Sequence, residues 1–167
     1  MKIAITGKPG TGKTTLIKRI YRELSAKGIK ISGFYTEEVR ENRTRTGFDI
    51  VMLPSEKRLI FARKKEGAPR IGKYRVFVEN IEKAIEFLQP ASILIIDEIG
   101  KMELLNPSFR EFIIKSLKEE KNILLTYGMG IERKIKELIE RTCRVFILTP
   151  ENREKLAFNI LKNLEYL

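Results

Sequence analysis

Near the amino terminus, Gly7-Lys8-Pro9-Gly10-Thr11-Gly12-Lys13-Thr14 has the residue types and spacing of a phosphate-binding loop, G-x-x-x-x-G-K-[ST]. The chemistry such a loop performs is electrostatic. Its glycines let consecutive backbone N–H groups converge on one anion, and a helix starting near Lys13 would aim its positive end at the same anion. Lys13 is the point charge for the β- and γ-phosphates, and the Thr14 hydroxyl is a ligand for Mg²⁺. Thr15 stands where the third glycine of G-x-G-x-x-G would be needed, which excludes a dinucleotide fingerprint.

A second constellation lies at Ile93-Leu94-Ile95-Ile96-Asp97-Glu98. Four apolar residues bury a strand, and two acids emerge at its carboxyl end, where open α/β sheets bind ligands. Asp97 is placed to hold Mg²⁺ through a water. Strand alternation points Glu98 to the face opposite Asp97, where it would orient and deprotonate a water attacking the γ-phosphate.

Further candidates keep two readings each. Thr126 ends a buried strand and reads as a γ-phosphate sensor or a plain strand terminus. Asn152 and Arg153 follow the last strand, at a base or ribose position or at a solvated helix start. Lys101 reads as a phosphate contact or a surface lysine. Arg40, Arg43 and Arg45 read as sources of a transition-state cation or as surface residues. Cys143 reads as a small core residue at a strand start.

These groups need a frame, and the chain reads as alternating strand and helix. Strand 2–6 leads into the loop, and a helix over 13–27 follows with Leu16, Ile17, Ile20, Tyr21 and Leu24 on one face and Gly28 as its stop. Strand 30–36 comes next, then short strands at 46–53, 57–63 and 74–78 with a turn at Pro54-Ser55. Ile81, Ala84, Ile85 and Leu88 mark a helix ending before Pro90; strand 92–97 follows; Asn106-Pro107 caps a helix with Phe109, Phe112, Ile113 and Leu117 inward. Strand 122–126, helix 131–141 and strand 144–148 complete the alternation, and Thr149-Pro150 starts a terminal helix with Leu156, Ile160, Leu161 and Leu164 inward. Continuous apolar strands between helices predict an α/β fold with a mostly parallel sheet covered on both faces, extended by antiparallel strands from 46–78.

Composition sets the outer limits. The 167 residues suit one domain over 1–167, with 43% hydrophobic and 33% charged residues placing it among globular proteins. Apolar runs stop at four residues, too short to span a membrane, and Met1-Lys2 leads straight into a strand without room for a signal peptide. A single cysteine and no histidine exclude an internal disulfide, a cysteine/histidine zinc site, and Ser-His-Asp or Cys-His catalysis. The expectation is a cytoplasmic protein. A lone glutamine, Gln89, among abundant Lys, Glu and Ile resembles heat-adapted compositions.

Charge points the same way as the loop. Lys plus Arg is 33 against 22 acids, a net +11 that favours polyanions. Residues 40–75 hold 11 Lys/Arg and 4 acids, so that segment alone is +7, either a solvated basic surface or a wall facing phosphate.

The motifs occur in a distinctive order: the loop, Gly33-Phe34-Tyr35-Thr36-Glu37-Glu38-Val39-Arg40, Arg45-Thr46-Gly47-Phe48-Asp49, Asp97-Glu98-Ile99-Gly100-Lys101-Met102-Glu103-Leu104, and Glu151-Asn152-Arg153. Over nearly its whole length the chain resembles the small nucleoside-triphosphatase family described in thermophiles and found in animals as a cancer-related NTPase. The resemblance implies Mg²⁺-dependent hydrolysis of ATP, GTP, CTP and UTP to diphosphate and phosphate, slow and with little base selectivity. It implies that Gly7, Lys8, Pro9, Gly10, Thr11, Gly12, Lys13, Thr14 and Thr15 bind nucleotide, together with Leu94, Ile95, Ile96, Asp97, Glu98, Ile99, Gly100 and Lys101. It also implies a P-loop NTPase fold of the catalytic-glutamate, RecA-like class, with an additional strand between strands 2–6 and 92–97, and a monomer. Two rivals stay in view. A small-molecule or nucleotide kinase shares the loop and the size. A nucleic-acid-dependent ATPase would suit +11, but 8% aromatic residues provide no evident stacking platform. The absence of N-K-x-D disfavours a GTP-specific switch.

Overall fold

Strand β1 (Lys2–Thr6) enters the loop and α1 (Lys13–Ala26) leaves it, so the first apolar run and the first amphipathic face hold the phosphate motif between them. The computed structural model describes residues 1–164; the last three positions of the 1–167 span lie outside the described residues. After α1 come β2 (Ile31–Glu41), β3 (Thr44–Leu53), β4 (Arg58–Arg63), β5 (Arg70–Ile71), β6 (Tyr74–Val76) and α2 (Val78–Glu86). Then follow β7 (Ile93–Ile99), a 3₁₀ turn (Glu103–Leu105), α3 (Pro107–Glu119), β8 (Ile123–Tyr127), α4 (Arg133–Thr142), β9 (Arg144–Ile147) and α5 (Arg153–Leu164).

The strands form one sheet in the order β5-β6-β4-β3-β2-β7-β8-β1-β9. Strands β2, β7, β8, β1 and β9 pair in parallel, and the rest add antiparallel beyond β2. As the resemblance implied, one strand, β8, lies between β1 and β7. The apolar run of β7 serves both faces: Ile93 and Ile95 pack with α1 and α5, Leu94 and Ile96 with α2, α3 and α4. On α1, Leu16, Ile17, Ile20 and Leu24 are buried, each worth about 1.5–3 kcal/mol of transfer free energy. That burial anchors the helix whose first turn faces the site. Gly33 lets β2 approach β7, for a Cβ there would lie 1.9 Å from the Ile95 carbonyl oxygen.

Three expectations shift. The antiparallel extension starts before residue 46, because β2 runs on to Glu41 and turns back through Asn42 and Arg43, both at positive φ (47° and 65°). Positive φ at both central residues is the turn that matches strand twist in a two-residue hairpin. Strand 74–78 ends at Val76 because Val78 opens α2, and a two-residue strand, β5, pairs with it. The last helix starts at Arg153 rather than at Thr149-Pro150. Asn152 closes the intervening turn, accepting from the Thr149 N–H at 2.9 Å and donating to the Ile147 carbonyl at 2.8 Å.

Candidate functional site

The loop leaves β1 at the carboxyl end of the parallel strands, and the buried polar residues Thr6, Asp97 and Thr126 lie at that same end. Gly12 precedes α1 in the left-handed region (φ 92°), and no side chain caps that helix. Its first-turn N–H groups are therefore open to an anion. Arg153 braces the loop from behind, donating to the Thr11 carbonyl at 2.7 Å. Gly12 is required by its left-handed backbone, and a Cβ there would also lie 2.8 Å from the Arg153 guanidinium and displace that brace. Lys13 Nζ donates to the Gly7 carbonyl at 3.2 Å and stands 3.7 Å from Glu98 Oε2.

Asp97 is fully buried and takes two hydroxyl donors, Thr14 on Oδ2 at 2.7 Å and Thr126 on Oδ1 at 2.5 Å. Burial pushes its carboxyl up to about 6, against the pull of those hydrogen bonds. Glu98 is also raised by burial, with Lys13 opposing. Strand alternation does not separate the two acids as expected: Asp97 meets Thr14 and Glu98 meets the adjacent Lys13, so both carboxylates face the loop. The pairing register of β7 with β8 shifts between Ile96 and Ile99, so regular alternation does not hold there.

A cavity of about 510 Å³ opens between the loop and the β2–β3 hairpin. Pro9, Gly10, Gly12, Lys13, Thr14 and Thr15 line it on the loop side, with Glu98. Arg40 and Arg45 line the hairpin side, each ion-paired to Glu38, at 2.6 and 3.0 Å.

Other residues singled out from the sequence do not line the cavity. Arg43 sits exposed in the hairpin turn, off the cavity lining. Leu94, Ile95, Ile96 and Ile99 are buried in the two apolar layers, where they hold the strand rather than line the cavity. Lys101 is exposed and packs towards Gly130. Lys8 is exposed, and its carbonyl accepts from the Thr11 hydroxyl at 2.9 Å. Thr126 steadies Asp97 from below, and Asn152 is engaged by its own turn. Cys143 is a buried free thiol.

Sequence reasoning missed the part played by Glu103. It is 5% exposed, and burial, with the charge of Glu98 next, pushes its carboxyl up to about 8. Gly100 makes room for it, since a Cβ there would lie 2.7 Å from Glu103 Oε2. Glu103 stood inside the distinctive 97–104 stretch, but its residue type alone looks like any surface glutamate. The raised value means the folded protein holds this proton between about pH 4.5, the ordinary glutamate value, and about pH 8. The stability tied to it is complete below the lower value and lost as pH rises through the upper. Glu103→Gln should therefore stabilise the nucleotide-free protein at alkaline pH, by on the order of 4 kcal/mol above pH 8, and much less at pH 5. Urea denaturation of both proteins at pH 5 and 9 reads this; an equal gap at the two pH values contradicts it.

The class defined by this fold and site is an α/β protein with a mixed sheet, carrying a glycine-rich loop and paired acids at the ends of its parallel strands. The chain belongs to the family described as NTPase, whose model matches residues 2–161. It is 40% identical to the nucleoside-triphosphatase THEP1 of Methanocaldococcus jannaschii, over 98% of this chain and 97% of that one. Among solved structures, THEP1 of the hyperthermophile Aquifex aeolicus superposes with a TM-score of 0.81 at 37% identity, covering 99% of both chains. A human cancer-related nucleoside triphosphatase superposes with a TM-score of 0.82 at 33% identity, covering 99% of this chain and 97% of that one. No helix among the described residues is long and apolar enough to cross a membrane.

Proposed function

We propose that this chain is a Mg²⁺-dependent nucleoside-triphosphate phosphohydrolase of the P-loop, catalytic-glutamate class, converting NTP and water to NDP and phosphate. The observation that carries the reading is the pairing of loop and strand end: Thr14 on Asp97 and Lys13 beside Glu98. Lys13 and the first-turn N–H groups of α1 bind the β- and γ-phosphates. Thr14 and Asp97 would hold Mg²⁺: a hydroxyl and a carboxylate oxygen in contact form an all-oxygen donor set, and Mg²⁺ commonly uses one or two carboxylates plus phosphates and water. When bound, that ion neutralises charge on the β/γ oxygens. Glu98, a half-buried carboxylate raised by desolvation, orients the attacking water and takes its proton.

The relatives' names are neutral as to base, and the chain has no N-K-x-D reader, which supports turnover of ATP, GTP, CTP and UTP alike. We take the protein to act as a cytoplasmic monomer, one unit over 1–167, without nucleic acid. Phosphate release from the four triphosphates, with Mg²⁺ or EDTA and with or without RNA or DNA, tests this. Comparable rates with all four, present only with Mg²⁺ and unmoved by nucleic acid, are expected; no phosphate release would sink the reading. A second reading, phosphoryl transfer to a small-molecule acceptor, draws on the reach of the cavity past the loop to Phe48 and Arg45. Label from γ-phosphate-labelled ATP appearing in an organic acceptor rather than in phosphate would favour it.

A further inference from the structure

We propose that Arg45 is the cation this chain delivers to the transferring phosphate, with Glu38 as its positioning residue; this rests on the phosphohydrolase reading above. In the step it serves, a water oxygen bonds to the γ-phosphorus and its proton passes to Glu98. The bond to the β–γ bridging oxygen breaks, and that oxygen leaves on the diphosphate with the electron pair. Negative charge spreads over the transferring oxygens, and a second cation opposite Lys13 stabilises it.

Three arginines lie close together on the hairpin, and the structure separates them. Arg43 is in the exposed turn at positive φ, off the cavity. Arg40 lines the cavity, but its guanidinium is used within the hairpin: Nε and Nη2 donate to Glu38 Oε2 at 2.9 and 2.6 Å, and Nη1 donates to the Arg43 carbonyl at 3.1 Å. Arg45 lines the same cavity as Lys13 and is held differently. Its Nε donates to the Tyr74 hydroxyl at 3.0 Å and its Nη1 to Glu38 Oε1 at 3.0 Å. Its guanidinium carbon lies 5.3 Å from the Phe48 ring centroid and 5.8 Å from that of Tyr74, and those two rings meet edge to face. Among the described residues Nη2 of Arg45 has no hydrogen-bond partner.

This arrangement has the properties a phosphate-facing arginine needs. Tyr74, Phe48 and Glu38 orient the planar fork before substrate arrives, so little further ordering is required on binding. One nitrogen stays free to donate. Glu38 is shared between two guanidinium groups, so the trio keeps a net charge of +1 towards the cavity. The other acid of this wall, Glu37, is occupied by Lys18 and Arg58.

The test is steady-state phosphate release from Mg²⁺-ATP. Arg45→Ala should lower kcat on the order of 10²-fold with KM little changed. Arg45→Lys should not restore the rate, because an ammonium lacks the planar fork. Millimolar guanidinium chloride should recover part of the loss in Arg45→Ala and do nothing for the unsubstituted enzyme. Arg43→Ala should turn over normally. Glu38→Gln should lower kcat by a smaller factor at unchanged KM and be insensitive to guanidinium. If Arg45→Ala does not fold by circular dichroism, Arg45→Gln, which keeps a planar hydrogen-bonding group, is read by the same criteria. Turnover of the Arg45 variants equal to that of Arg43→Ala, or a rise in KM at constant kcat, overturns the assignment. Neither result touches the hydrolase reading, which fails separately if the unsubstituted enzyme releases no phosphate.

Discussion

Lys13→Ala is expected to remove hydrolysis almost completely, by on the order of 10³-fold or more, and to weaken triphosphate binding as well. Among the described residues Lys13 is the one cation lining the loop side of the cavity, held between the Gly7 carbonyl and Glu98 rather than by a committed salt bridge at short range. A triphosphate arriving there would take over those contacts. The fold should survive, since the apolar face of α1 is carried by Leu16, Ile17, Ile20 and Leu24 and not by Lys13. Titration with a fluorescent ATP analogue and phosphate release on the folded variant measure both effects. Unchanged turnover would remove the phosphate loop from the mechanism.

Glu98→Gln is expected to cut turnover by about 10²- to 10⁴-fold while Mg²⁺-ATP still binds. The amide keeps the shape of the side chain and loses the base. Asp97→Asn should behave differently, weakening the dependence on Mg²⁺, because this carboxylate is organised by Thr14 and Thr126 rather than by a cation. Measuring kcat at saturating nucleotide across a Mg²⁺ titration separates the two. Most of the rate surviving in Glu98→Gln would demote Glu98 to a structural role and return weight to phosphoryl transfer onto an acceptor.

How far the site was legible depends on range. Lys13 and Thr14 were readable because the loop is contiguous and its neighbours carry local signals: an apolar strand before it, and an amphipathic helix after it that stops at Gly28. Asp97 was readable because four apolar residues announce a buried strand and an acid marks its end. Glu103 was not, because its side chain is buried against Gly100 by the 3₁₀ turn, which no local pattern of polar and apolar residues records. Arg153 was visible only as a residue after the last strand. Its contact with Thr11 spans 142 positions of sequence.

Sequence alone therefore determined the alternation of strand and helix, the phosphate loop, the buried acid, and the family resemblance, because each rests on contiguous residues with local periodicity. It also placed an antiparallel extension between α1 and α2, with its start a few residues late, since the turn at Asn42 and Arg43 depends on backbone conformation more than on residue type. Tertiary structure alone decided which of three neighbouring arginines is anchored by an aromatic pair, and which is spent within its own hairpin. It decided, too, that Asp97 and Glu98 face the same loop. The reason is physical: side-chain direction at a strand end follows the pairing register with its neighbour, and here that register shifts between Ile96 and Ile99. Partners brought together from distant strands set that register, and a one-dimensional pattern of polar and apolar residues does not carry it.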